Sequence, residues 1–207
     1  MKKTALIAIL AASSAAPAFA GEAYVVGSAG RSSFDINQSR LDDILTSAGA
    51  AALSSSLKKT DTAYKVQLGY EFNKNVAIEG GYVDLGKAKY SATFTGGNAT
   101  FDAKASGVNI AVLGIAPVNE SFSIFGKLGV IVAKVDASAY AVGNNASAWA
   151  TASSTKAAAT WGVGATLNIN KQFAVRAEYE QFSKLGDTNT TGQATVDLAS
   201  VGLVLKF

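Results

Sequence analysis

Seven ionisable residues stand at alternating positions inside otherwise apolar stretches: Lys65, Glu71, Glu79, Lys127, Arg176, Glu178 and Glu180. Residues of these types could do two kinds of chemistry. Paired acids in a cleft could run general acid–base hydrolysis. Opposite charges confined together could pair with one another and fill space. The 207 residues include no His and no Cys. That excludes Ser-His-Asp and Cys-His catalysis, His- or Cys-ligated metals and disulfide frameworks. Glu178 and Glu180 share one face of one strand, which reads as lining rather than as a catalytic pair. Asp42 and Asp43 are adjacent, so their carboxylates point apart and make no ligand set. The sequence therefore predicts no enzyme, no cofactor and no metal.

The elements that must hold these charges are strands. In Tyr64-Lys65-Val66-Gln67-Leu68-Gly69-Tyr70-Glu71-Phe72 the even positions are apolar or aromatic and the odd ones are Lys, Gln, Gly and Glu. Period two with one greasy and one polar face means a strand between two environments. The same alternation occurs around Val108–Val112, Ile124–Val132, Trp161–Ile169 and Val201–Phe207. Weaker strands fit 22–34, 76–88 and 173–183, giving eight in all. No stretch after Ala20 is long and apolar enough for a transmembrane helix.

The connections alternate between short and long. Asn73–Asn75, Val118–Ser121 and Asn170–Gln172 are short; 35–60, 88–101, 136–157 and 184–194 read as long surface loops. In an up-and-down barrel this puts every short turn at one end, as in outer-membrane barrels. Tyr70, Phe72, Phe122 and Phe173 flank the short turns and, with Phe207, read as one aromatic girdle; Tyr64, Tyr82, Trp161 and Tyr179 suit the other. The polar face is then the lumen, holding the seven charges above with Gln67. On the lipid face, Lys or Arg at the midplane would cost about 2–4 kcal/mol. Asp84, Lys134 and Gln181 interrupt the outward face toward the long-loop end. A soluble barrel would turn its apolar face inward and leave the aromatic clustering without a cause. The fold class is all-β: an eight-stranded antiparallel up-and-down transmembrane β-barrel.

Residues 1–20 carry Lys2-Lys3, a short apolar core and Ala18-Phe19-Ala20, which reads as a cleaved secretory signal peptide. The barrel domain is then 21–207. Removing Lys2 and Lys3 lowers the basic count from 18 to 16 against 15 acidic residues, about +1, so no nucleic-acid partner is expected.

Several stretches resemble the OmpA-like transmembrane domain family: Gly69–Asn73 followed by Val76–Tyr82 and Leu85-Gly86, then Phe173–Tyr179, then Ser200–Phe207. The resemblance implies a location in the bacterial outer membrane, with lipid and lipopolysaccharide as surroundings. It implies that the terminal Phe207 is an assembly signal read by the barrel-assembly machinery. It also implies lumenal ion pairs able to gate a narrow pore, with Glu79, Lys127 and Arg176 at charged positions. Leu113 and Thr166 stand where the family can carry lysine and glutamate, so that gate is incomplete here. The chain stops at Phe207, where a separate peptidoglycan-binding domain would follow, so no cell-wall anchor of its own is expected.

The long segments are small and polar. In Ser39–Leu57 the apolar Leu41, Ile44, Leu45, Ala48 and Ala52 are spaced for a short helix, with Asp42-Asp43 in its first turn. The segment 136–157 is rich in Ala, Ser and Asn, with Tyr140 and Trp149 expected against the barrel rim. The function that follows is a structural outer-membrane barrel presenting four long loops. A narrow pore for ions or small solutes, or an adhesin binding a host or surface ligand through those loops, are the alternatives.

Overall fold

A computed structural model describes residues 21–143 and 147–207. The expected signal peptide lies outside the described residues. The chain forms β1 (Glu22–Phe34), α1 (Gln38–Ser47), β2 (Ser54–Lys58), β3 (Thr60–Asn73), β4 (Val76–Phe94), β5 (Gly97–Pro117), β6 (Phe122–Val142), β7 (Ser147–Asn168), β8 (Phe173–Asp187) and β9 (Gly192–Lys206). All pairings are antiparallel. Chain neighbours pair from β3 through β9, β1 pairs with β3, and β1 with β9 closes the ring. Eight strands make the barrel. The five-residue β2 is a ninth strand that extends the sheet by pairing with the outer part of β4, from Ser54↔Thr93 to Lys58↔Lys89. Among the described residues no helix is long and apolar enough to cross a membrane.

Each short turn is fastened by one asparagine. Asn73 Oδ1 accepts from the backbone N–H groups of Asn75 at 2.8 Å and Val76 at 3.0 Å. Asn119 does the same for Ser121 and Phe122, and Asn170 for Gln172 and Phe173, all within 2.9 Å. An Asx turn satisfies two backbone donors where the ladder reverses.

Alternation sorts the faces as the strand pattern requires. Val66, Leu68, Ile110, Leu128, Val130, Val163, Val201 and Leu203 are exposed on the outside, whereas Lys65, Gln67, Glu79, Lys127 and Glu180 are buried in the lumen. Phe72, Phe173 and Phe207 are exposed beside the short-turn end, with Tyr70 packed edge-on against Phe72 at 5.2 Å and Phe122 half-buried. Toward the other end Trp161 packs against Tyr179 at 6.3 Å, and its Nε1 donates to Gln181 Oε1 at 3.1 Å.

Three of the segments read as loops are largely sheet instead; the shortest, 184–194, is a hairpin whose ladder runs to Asp187↔Gly192. β4 runs to Phe94 and β5 starts at Gly97, so 88–101 is a hairpin turning at Thr95-Gly96, with Gly96 at φ +83°. β6 runs to Val142 and β7 starts at Ser147, so most of 136–157 is also hairpin. The ladder simply continues from Val132↔Ala157 to Val142↔Ser147. Alanine, serine and threonine fit both faces, so these stretches carry no visible alternation. β5, β6 and β7 thus reach 21–22 residues against 13 in β1. A tilted membrane strand needs about 9–11 residues, so one wall of the barrel rises well above the rest. Within the first long connection, α1 begins at Gln38 behind an Asn37 cap whose side chain accepts from Ser39 N–H at 2.9 Å. Asp42 and Asp43 consequently fall in the second turn rather than the first. Ala52 lies beyond the helix.

Candidate functional site

The lumen is stacked in three layers. Nearest the short turns is an apolar ring of Tyr24, Val26, Ala77, Leu113, Phe125, Ala174 and Val204. Toward the outside is a larger apolar plug that includes Leu85, Ile131, Phe182, Leu185, Val196 and Leu198. The charged groups lie between them, and Arg176 reaches through the lower ring to line the short-turn mouth with Phe125, Thr166 and Lys206. Lys65 on β3, Glu79 on β4, Lys127 on β6, and Arg176, Glu178 and Glu180 on β8 converge between the two apolar layers, none with a side chain more than 4% exposed.

These six groups satisfy one another. Lys65 Nζ lies 2.5 Å from Glu178 Oε2 and also contacts Glu180. Lys127 Nζ lies 2.8 Å from Glu79 Oε2, 2.9 Å from Glu178 Oε1 and 3.2 Å from Glu180 Oε1. The Lys127–Glu79 contact is an ion pair set off the hydrogen-bond axis, because Glu79 Oε2 accepts no hydrogen bond. Arg176 Nη1 contacts Glu79 Oε1, the same oxygen that accepts from the Tyr24 hydroxyl at 2.7 Å. Three cations face three carboxylates, so the cluster has no net charge. A buried charge is tolerable only when it is paired and hydrogen-bonded in this way.

Arg176 is held by its surroundings as well as by charge. Its Nε donates to Thr166 Oγ1 at 3.4 Å, and its guanidinium lies 4.8 Å from the Phe125 ring centre and 5.4 Å from that of Tyr24. Those rings need space, and glycines across the ladder supply it. Gly69 is the register partner of Tyr24, and Gly164 that of Phe125. A Cβ at either glycine would collide with the facing ring. Sequence reasoning missed Tyr24 and Phe125 as parts of this site; an inward glycine opposite an aromatic was the available signal. Leu113 and Thr166, the two positions expected to leave an ionic gate incomplete, have local roles. Leu113 is fully buried in the inner apolar ring, and Thr166 is the acceptor for Arg176.

Glu71 is not brought into the cluster. It lies at the short-turn mouth, 3.7 Å from Lys206 Nζ, which also pairs with Glu22 at 3.2 Å. Asp84 and Lys134 sit on the outer surface, paired with Lys104 at 3.0 Å and Asp136 at 2.9 Å. Trp149 is 75% exposed and does not pack on the rim as expected; it is the register partner of Tyr140 across the β6–β7 hairpin. Among the described residues no group of three or more acidic side chains is arranged to hold a metal ion.

A closed antiparallel ring with an apolar outer band is the architecture of an outer-membrane barrel. The OmpA-like transmembrane domain model matches residues 19–207. The chain belongs to the OmpA-like transmembrane domain family. It is 31% identical over 143 residues to Outer membrane protein A of Serratia marcescens, covering 68% of this chain and 38% of that protein. Identity to Outer membrane protein A of Yersinia pseudotuberculosis is 32% over 142 residues, covering 67% and 38%. The chain thus spans under two-fifths of the length of these relatives. Among solved structures it resembles Neisserial surface protein A, with a TM-score of 0.54, 12% identity, and 89% and 97% of the two chains covered. That likeness is one of fold. This OmpA-like barrel is a protein of the bacterial outer membrane, and its apolar outer band meets lipid there.

Proposed function

We propose that this OmpA-like barrel is a structural component of the outer membrane, sealed along its bore and presenting an extracellular sheet and loops. The observation that supports this most strongly is the layered lumen, in which a neutral charge cluster lies between two apolar layers. A continuous water path would have to break the outer apolar plug and the Arg176–Glu79 contact below it. The reading is non-enzymatic, because each buried carboxylate is engaged by a cation. Residues 1–20 act as the cleaved export signal in this reading. Phe207, exposed at the end of β9 with its N–H on Ala23 O at 2.9 Å, serves as the feature recognised by the assembly machinery. Tyr70, Phe72, Phe122 and Phe173 set the depth of the barrel in the bilayer.

The test is single-channel recording of the refolded chain in planar bilayers, beside Glu79→Ala and Arg176→Ala, with folding checked by heat-modifiable gel mobility. The expected record for the parent chain is silent. Discrete openings of the parent, altered by either substitution, would replace the structural reading with a gated pore. A surface-contact role is a second reading, favoured by the exposed Tyr140–Trp149 pair on the tall hairpin. Exposed aromatics of this kind anchor many interfaces. Bacteria displaying Trp149→Ala would then lose attachment to host-cell monolayers, and unchanged attachment would remove that reading.

A further inference from the structure

The outer mouth of the barrel is a blind cup of about 710 Å³. Phe34, Ala105, Val135 and Leu185 form its buried apolar floor, and the plug beneath closes it from the bore. The helix α1 overhangs it. None of the helix's residues is buried, and its apolar Leu41 and Ile44 line the cup, with Ile44 58% exposed. An amphipathic helix ordinarily buries its apolar stripe against a core. Here it is held away from one. Gln38 Nε2 donates to Ser55 Oγ at 2.9 Å, and the Tyr90 hydroxyl donates to Asp42 Oδ1 at 2.5 Å. These polar tethers fix the roof while leaving its greasy face over an apolar floor, so the cup is preformed.

The charge at the mouth is specific. Three charged residues line the cup: Asp35, Arg40 and Lys104. Lys104 is already paired with Asp84 at 3.0 Å. Among the described residues, neither Asp35 nor Arg40 has an ion-pair partner within 4 Å, and both are exposed. A simple acid would satisfy Arg40 but face Asp35, and a simple amine the reverse. A head group carrying both charges complements both. The volume is that of a pocket for one small molecule, which suits a single acyl tail.

We propose that this cup binds one single-chain zwitterionic amphiphile, with its tail on the Leu185 floor beneath α1 and its head group between Arg40 and Asp35. The site is distinct from the charged lumen and adds a ligand-capturing role to the structural one. It captures rather than conducts, because the plug leaves no passage below.

The test uses the full chain in nanodiscs of two-tailed lipid, with lysophosphatidylcholine bearing a tail diazirine as probe and mass-spectrometric mapping of adducts. Saturable adducts on Leu41, Ile44 or Leu185, displaced by unlabelled lysophosphatidylcholine, are expected. Arg40→Gln and Asp35→Asn should each lower that labelling about threefold, the scale of an exposed ion pair. A diazirine fatty acid should respond with opposite signs, weakened by Arg40→Gln and strengthened by Asp35→Asn. Both rim residues are exposed, so the variants should fold normally by gel mobility. Adducts confined to outward residues such as Leu128 and Val130 would show simple partition into the bilayer and overturn the proposal. So would cup labelling indifferent to both rim substitutions, or tighter capture of the fatty acid than of the zwitterion.

Discussion

The barrel at membrane level and the wall that rises above it are built from the same strands under different rules. At membrane level the ring is closed, so every strand has two neighbours and the ladder leaves no edge in lipid. Above it, β7 keeps only one. Its pairing with β8 starts at Thr160↔Phe182, whereas its pairing with β6 continues to Ser147. Beyond Thr160 the link from β7 to β8 and its following turn is made by side chains, through the Lys156–Asp187 ion pair and the Ser154–Thr191 hydroxyl contact at 3.1 Å. Water can satisfy an open edge and lipid cannot. The same difference shows inside. The lower lumen is packed with mutually dependent large side chains, while the upper hairpin is lined with alanine. Sequence change should therefore be costly in the first region and cheap in the second.

Removing one buried charge should show the largest contrast. Arg176→Ala leaves Glu79 short of a cation and should destabilise the barrel by about 3–5 kcal/mol, read from denaturant unfolding in lipid vesicles. Trp149→Ala, on the wall, should stay within about 0.5 kcal/mol. Matching midpoints for the two variants would abolish the distinction. Overpacking should give a smaller contrast. Gly69→Val drives a side chain into the Tyr24 ring and should cost about 1–3 kcal/mol. Ala139→Val, at an exposed site on the tall part of β6, should be near neutral by the same titration. A tolerated Gly69→Val would mean that Tyr24 can leave the site without loss.

The smallest effect concerns the roof of the cup. Hydrogen bonds from Ser55 and Tyr90 hold the Asp42 carboxyl below its ordinary value of 3.8. A depressed carboxyl pKa contributes stability above the unfolded value, and that stability is lost as pH falls through the folded one. A spin label at Ser47→Cys should thus become more mobile only below about pH 4, where carboxylates of ordinary pKa protonate. With Asp42→Asn added, that pH step should disappear. A step that persists would place the tether elsewhere.

How much was legible in the sequence follows the same division. Tyr64–Phe72 alternates cleanly because lipid and lumen demand opposite chemistry on its two faces, and Lys65, Glu79, Lys127 and Arg176 could be assigned inward one strand at a time. Their partners could not. That Glu79 meets Arg176 and Lys127 while Glu71 meets Lys206 depends on register across strands far apart in sequence. Tyr24 and Phe125 were hidden because an inward aromatic breaks the polar-in rule. The wall was hidden because alanine and serine satisfy water and lumen alike. Asp42 and Asp43 fall a turn later than expected because α1 starts behind the Asn37 cap, which the spacing of Leu41, Ile44 and Leu45 does not mark.

The seam between β1 and β9 has a kinetic consequence. Successive ladders from β3 to β9 join consecutive strands, and β1 meets β3 across a single insertion, so those contacts are short-range. The seam alone runs from Tyr24↔Lys206 to Phe34↔Val196. Closing a loop of nearly the whole chain carries the greatest entropic cost, although that cost grows only slowly with length. Hairpins can zip in order as the chain arrives, but the cylinder stays an open, curling sheet until its final strand is delivered. Weakening β9 should therefore slow the last event of folding and leave the earlier ones at their own pace.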